Sequence, residues 1–384
     1  MGGEDRGSRY PADLDTLTHG LAGALLGRAL PAPQNPELTR SLRAREVWAG
    51  FLVAMFPDGD ALLSPLSPDF YITQHRGLTH SFVMLPLWAL LLGSLAAFRL
   101  PSAPPAALRE ARRRLVLVSG LAVGSHILLD WITSWGTMFF SPISWRRYSL
   151  DWLFIVDLVF SFLLVIGLAG VRFAARRSDA RTRTAARASL AAAGLYVLLC
   201  AARHQDALSA AKRMADGRSA SCAAIPQPLS PDRWLLLVDD GRAITASFVD
   251  LGKHGRDAGP VTPPAGLEEL AATRRGISLL ARRLLSTYRS PDDAAPRVIP
   301  KADGPLASRA LADGKAGVFG RFARFPAARE EKGPDGATRV VLRDLRFGYL
   351  SSAIDPFTYV IWYDRAGRLL SAGFPSERWG RRGK

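Results

Sequence analysis

Apolar residues crowd into the first half of the chain and thin out after about residue 204. Four runs there approach the roughly 20 apolar residues that a bilayer crossing requires. They are Ser81–Phe98, Leu115–Ile132, Trp152–Val171 and the shorter Ala188–Ala202. Two briefer segments, Leu17–Leu30 and Val47–Phe56, come first and are joined by Pro31-Ala-Pro-Gln-Asn-Pro36. Each is short for a span, and the pair reads as a helical hairpin reaching into or through the membrane. Past residue 204 the pattern changes. Arg233–Val238 and Arg242–Val249 flank Asp239-Asp240-Gly241, a hairpin signal. Leu267–Tyr288 has helical periodicity, while Thr338–Tyr349 and Pro356–Trp362 are β-branched or aromatic, and Asp364–Gly367 turns into Arg368–Ala372. The pattern therefore predicts a mostly α chain. A polytopic helical membrane bundle, four clear spans plus a short helical hairpin, occupies residues 13–204, and a small soluble α+β domain follows at 205–384.

Charge gives this picture a direction. Lysine and arginine number 50 against 34 acidic residues, a formal net charge of +16. Such a balance can mean nucleic acid, but no RNA- or DNA-binding motif accompanies it, and no nucleic-acid partner is expected. The arginines instead alternate between loops. One set holds Arg28, Arg40, Arg43 and Arg45, then Arg99, Arg109 and Arg112–Arg114, then Arg172, Arg176, Arg177, Arg181, Arg183 and Arg187. The other loops hold Arg76, Arg146 and Arg147. The positive-inside rule puts the rich set in the cytoplasm. Both chain ends, and the C-terminal domain, then lie on the periplasmic side of a bacterial inner membrane. Trp88, Trp131, Trp135, Trp145 and Trp152 fall near span ends, as interfacial aromatics do. The N-terminal stretch lacks the apolar core of a cleaved signal peptide, and Cys200 and Cys222 are not expected to pair.

Four of the six histidines, His19, His75, His80 and His126, lie in the apolar half. Alternating helix direction brings all four to the ends opposite the arginine-rich loops, together with Asp58, Asp60 and Asp130. His126 and Asp130 stand at i, i+4, on one helical face, where imidazole and carboxylate can share a divalent ion. Ionisable groups in an apolar helix are costly and call for a reason. His75-Arg-Gly-Leu-Thr-His80-Ser is the most distinctive stretch. Gly77 permits a tight approach, Thr79 or Ser81 can cap the next helix, and Arg76 at a helix N-terminus suits an anion such as phosphate. A structural His–Asp pair and a headgroup-anchoring Arg76 are the plainer readings. The expected metal ligands are His19, Asp58, Asp60, His75, His80, His126 and Asp130, with Asp60 and His75 either ligands or partners that orient the imidazoles. Asp151 is a further candidate, Asp157 starts the following helix, and His204 and His254 have no assigned part.

Asp15-Thr-Leu-Thr-His19-Gly, Phe56-Pro-Asp58-Gly-Asp60, His75-Arg-Gly-Leu-Thr-His80-Ser and His126-Ile-Leu-Leu-Asp130 occur in this order in one family. Over residues 13–205 the chain resembles the YdjM-like inner-membrane proteins. The resemblance implies metal-dependent hydrolysis. Pro226–Trp234 and Val340–Phe347 resemble that family's extra-membrane part less specifically. A more distant similarity, to the zinc-dependent phospholipase C and nuclease P1 superfamily, implies zinc held by a helical HxxxD and an aspartate, here Asp58, that bridges metals or acts as base. The later HxxxE of that superfamily has no counterpart, so one or two ions are expected rather than three. The expected function is a membrane-bound phosphoester hydrolase, with lipid phosphoesters among its candidate substrates, Asp58 taking the proton of water and Arg76 holding phosphate oxygens. A non-catalytic metal that staples helices is the alternative. The family's association with the repressor LexA implies a cytoplasmic partner, which the short arginine-rich loops accommodate poorly.

Overall fold

The computed structural model describes residues 12–34, 39–63, 68–253, 287–294, 296–312, 317–333, 336–347 and 358–374. The chain divides into two compact units, Met1–Ala201 and Ala202–Lys384.

The first unit is helical. Its elements are α1 (Ala12–Ala29), α2 (Thr39–Met55), a 3-10 turn at Pro57–Leu63, α3 (Pro68–Gln74), a second 3-10 turn at Leu78–His80, α4 (Leu85–Ala96), α5 (Pro105–Trp131), α6 (Leu158–Ala174) and the larger part of α7 (Asp179–Ala215), whose last turns belong to the second unit. Prolines fix two of the starts, Pro86 in the first turn of α4 and Pro105 at the first position of α5. Asp157 caps α6 by accepting a hydrogen bond from the Phe160 amide at 2.8 Å. Along α5 the buried residues Ala111, Leu115, Val118, Ala122, His126 and Asp130 recur every three or four positions, one continuous inward stripe. Helices α1 and α2 meet backbone to backbone. A Cβ added at Gly23 would stand 2.1 Å from the Gly50 carbonyl oxygen, and one at Gly50 would stand 2.2 Å from that of Gly23. Small residues permit this approach where apolar solvent offers little drive for helix association.

Large apolar side chains remain uncovered on the outer faces of this unit. Leu87, Leu90, Leu91 and Leu95 of α4, Phe162, Val165 and Ile166 of α6, and Leu195, Leu198 and Leu199 of α7 are all exposed. So extensive an apolar surface suits lipid better than water.

Two sheets build the second unit. The first, antiparallel throughout, has the order β1 (Ser221–Pro226), β2 (Arg233–Asp239), β3 (Ala243–Asp250), β4 (Arg297–Pro300). Its β2–β3 hairpin turns at Asp240-Gly241, where Asp240 Oδ1 accepts the Arg242 and Ala243 amides and Gly241 has φ 88°. Trp234 and Leu236 pack on Ala207, Ala210 and Ala211 at the end of α7. The second sheet runs β5 (Ala302–Asp303), β6 (Pro326–Lys332), β7 (Thr338–Asp344), β8 (Tyr359–Tyr363), β9 (Leu369–Gly373), with only β5–β6 parallel. Helices α8 (Pro305–Ala312) and α9 (Gly317–Phe322) cover it through Ala307, Ala310 and Phe319. A buried Arg346–Asp344 pair, 2.7 Å apart, ties β7 to α9 through the Phe322 carbonyl.

The expectation of a mostly α chain with four clear spans does not hold. Among the described residues only α5 and α7 are long and apolar enough to cross a membrane. A third crossing requires Phe70–His80 and Leu85–Ala96 to count as one span, and they are bent by 77°. The run Ser81–Phe98 fails because its first residues turn rather than coil, leaving a helix of 12 residues. Trp152–Val171 fails because its helix begins only after the Asp157 cap and reaches 17 residues. The C-terminal part is organised by its two sheets. The helix expected at Leu267–Tyr288 lies almost wholly outside the described residues, as does His254.

The Gly23–Gly50 contact predicts that Gly23→Ala forces α1 and α2 apart, since the atom it meets is backbone and cannot turn aside. Overpacking of this kind costs about 1–3 kcal/mol. Thermal unfolding of the detergent-purified protein should show a lowered midpoint, and an unchanged midpoint would refute the contact.

Candidate metal centre

The seven residues expected as ligands come together at one end of the first unit. α1 supplies His19, the turn after α2 supplies Asp58 and Asp60, the α3–α4 connection supplies His75 and His80, and the end of α5 supplies His126 and Asp130. His80, His126 and Asp130 have no solvent exposure, and His19 has 2%.

Four of them form a close set. The donor atoms of Asp58, His80, His126 and Asp130 lie within 4.8 Å of one another. His80 Nε2 is 3.0 Å from His126 Nε2, 3.1 Å from Asp130 Oδ2 and 3.5 Å from Asp58 Oδ1. His126 Nε2 is 3.4 Å from both Asp130 Oδ2 and Asp58 Oδ1. A tetrahedral ion with bonds of about 2.0–2.1 Å has its ligand atoms about 3.3–3.4 Å apart. The five separations bracket that length.

The neighbours of the two imidazoles fix how they are protonated. His126 Nδ1 is 2.6 Å from the Ala54 carbonyl oxygen, which only accepts, so Nδ1 carries the proton. Thr79 Oγ1 donates to Asp60 Oδ2 at 3.0 Å and so accepts from His80 Nδ1 at 2.8 Å. In the neutral rings both Nε2 atoms are thereby left as acceptors. Two lone pairs facing at 3.0 Å repel unless a cation stands between them. The donor set therefore fits a divalent metal.

His75 and Asp60 stand one layer further out. His75 Nδ1 meets Asp60 Oδ1 at 2.7 Å, and Asp60 in turn holds Thr79, which orients His80. Burial would raise the Asp60 carboxyl, but the hydrogen bond and charge of His75 hold it below its ordinary value. Burial would likewise raise Asp58. The His126 and His80 imidazoles beside it outweigh burial and hold Asp58 well below the carboxylate range. Thr16 also donates to Asp58 Oδ2 at 2.7 Å.

Arg76 turns inward. Its guanidinium reaches Asp130 Oδ1 at 2.9 Å, Thr133 Oγ1 at 2.8 Å and Asp15 Oδ2 at 3.3 Å, and it is 2% exposed. Its backbone is left-handed, φ 62°. Gly77 beside it accepts no side chain, since a Cβ there would lie 2.6 Å from the Gln74 carbonyl oxygen. Other expectations are redistributed. Thr79 serves the donors rather than a helix cap, and Ser81 bonds to the carbonyls of Phe139 and Ser141. Asp157 caps α6 and accepts from Tyr196 at 3.2 Å. Asp151 is buried outside the donor groups, and His204 packs near Trp234. Trp135 is buried against His75, not interfacial. Asp15, unassigned from sequence, stands 3.5 Å from His19 Nε2. Its i, i+4 spacing to His19 is the signal that could have found it.

At the other end of the same helices a second polar layer gathers arginines. Buried Glu46 pairs with Arg114 at 2.6 Å and Arg43 at 3.1 Å, while Asp179 binds Arg28, Arg43 and Arg183. Arg45 closes the end of α4 by donating to the carbonyls of Ala96, Phe98 and Arg99.

The family model described as YdjM inner membrane protein matches residues 14–207, just over half of the 384-residue chain, and spans every donor named above. The chain belongs to the YdjM inner membrane protein family. No curated protein and no solved structure matches it. Membership and the uncovered apolar helix faces agree on association with a membrane.

The His75–Asp60 bond predicts a pH-dependent contribution. A carboxyl held low in the folded protein stabilises it fully above the ordinary value of 3.8, and that stability is lost as pH falls towards the folded value. Asp60→Asn should therefore cost about 1.5–3 kcal/mol near neutrality. The gap in unfolding midpoint between the two proteins should close in acid, and a gap independent of pH would refute the assignment.

Proposed function

We propose that this YdjM family member is a membrane-bound, metal-dependent hydrolase of phosphoester bonds, with lipid phosphoesters among its candidate substrates. The observation that carries the reading is the pair of acceptor nitrogens, His80 Nε2 and His126 Nε2, facing at 3.0 Å beside two carboxylates. In this reading His80, His126 and Asp130 hold a divalent ion, zinc being suited to nitrogen and carboxylate donors. When bound, such an ion brings the pKa of water to about 7 and polarises a phosphoryl oxygen. Asp58, with a side chain 9% exposed against none for the other three, accepts the proton from water. Arg76 is committed to Asp15, Asp130 and Thr133, so we assign it to positioning the carboxylates rather than to gripping phosphate.

A second reading has support of its own. If Asp58 binds the ion as well, four protein donors close a tetrahedral shell, the hallmark of a structural site. The metal would then staple α5 to the turns after α2 and α3. For topology we propose that the arginine-rich end faces the cytoplasm and the donor end the periplasm, with α5 and α7 crossing between them.

Metal analysis and turnover separate these readings. The detergent-purified protein should retain zinc, and His126→Ala should lose it; retention in that variant would remove His126 as a ligand. Hydrolysis of a phosphodiester reporter should fall at least a hundredfold in Asp58→Asn, in line with the loss of a general base, typically 10²–10⁴-fold. Zinc retained in a wild type that hydrolyses no phosphoester would favour the structural reading.

A further inference from the structure

We propose that the centre holds a second divalent cation, bound by Asp15, His19 and Asp130, with the Asp130 carboxylate bridging the two ions. The inference rests on the first ion site of the preceding reading and adds a separate set of donors to it. Among the described residues, Asp15, His19 and Asp130 form a second group whose donor atoms lie within 4.8 Å of one another, and it shares only Asp130 with the first.

The two oxygens of Asp130 divide the labour. Oδ2 faces His80 Nε2 at 3.1 Å and His126 Nε2 at 3.4 Å. Oδ1 faces His19 Nε2 at 3.4 Å, and His19 Nε2 is 3.5 Å from Asp15 Oδ1. These separations again match the edge between ligands on one ion of about 2.0–2.1 Å bond length. The two separations about His19, 3.4 and 3.5 Å, exceed the usual hydrogen-bond length of about 2.7–3.2 Å.

His19 supplies an independent observation. It is 2% exposed, yet among the described residues neither ring nitrogen has a hydrogen-bond partner, and neither does either oxygen of Asp130 in hydrogen-bonding geometry. A buried polar group is ordinarily satisfied. An ion in contact with His19 Nε2, Asp15 Oδ1 and Asp130 Oδ1 would satisfy all three. Arg76 does not close the site. It approaches Asp15 through Oδ2, whereas His19 faces Oδ1, and pairs with Oδ1 of Asp130, which keeps a second lone pair.

A carboxylate-bridged pair of ions clamps both the attacking and the leaving oxygen of an in-line displacement at phosphorus. The second cation thus narrows the substrate class of the proposed hydrolase to phosphoesters over carboxylic esters or amides.

The test loads the full-length, detergent-purified protein with Zn²⁺ or Mn²⁺ and counts tightly held ions per chain. Two are expected in the wild type, and one in Asp15→Asn, which preserves shape and the approach to Arg76. His19→Ala should also hold one. With Mn²⁺, the wild type should show the resonance spectrum of a spin-coupled pair, and Asp15→Asn that of an isolated ion. Two ions retained in Asp15→Asn overturn the proposal. So does a wild type with a single ion that is lost in His80→Ala, an outcome that leaves the first site standing. A wild type that holds no ion overturns both.

Discussion

A carboxylate with no access to water sits in the last turn of α5, and much of the first unit is arranged around it. An uncompensated buried charge costs several kcal/mol, so Asp130 can exist only if cations or donors converge on it from other elements. Arg76 comes from the α3–α4 connection, and the imidazoles of His19, His80 and His126 surround the carboxylate with nitrogens able to share a cation with it. Arg76 reaches it from a left-handed backbone that Gly77 makes room for. The turn there is a consequence of the charge it must meet.

A second layer decides what the first can do. Ala54, Thr79, Asp60 and His75 touch no shared centre, yet they determine which nitrogen of each imidazole keeps its lone pair. Opposite them, Glu46 and Asp179 gather arginines from α1, α2, α5 and α7. The helices are thus clamped at both ends by charge, with Leu115, Val118, Ala122 and Val123 of α5 packed between.

The donors were legible because their signals are local. His126 and Asp130 share a helical face by spacing alone, and the direction of successive apolar runs brought Asp58 and His80 to the same end. Asp15 obeys the same spacing rule towards His19 and was missed because it precedes the apolar segment instead of lying in it. Trp135 illustrates a different failure. Near a span end a tryptophan suggests an interface, and only tertiary contact reveals that it walls off His75. The spans were overcounted because hydropathy sums residues without asking where a helix can begin. Asp157 delays α6, and the turn before Leu85 shortens α4. Of the second unit's sheets the β2–β3 hairpin was legible from its Asp-Gly turn, whereas pairing partners as distant in sequence as β3 and β4 leave no periodic trace.

The glycine contact between α1 and α2 bears on ionic selectivity. Where two backbones touch, no side chain can rearrange to let the helices breathe. The walls that carry His19 and the turn leading to Asp58 are then held at a spacing set by covalent geometry. Coordination by a rigid cage is a sieve by radius. Calcium needs six to eight oxygens at about 2.3–2.6 Å and a ligand shell that can swell to take them. A cage that cannot swell would turn it away, so for the proposed centre the choice of ion would be made partly at Gly23 and Gly50, neither of which would touch it.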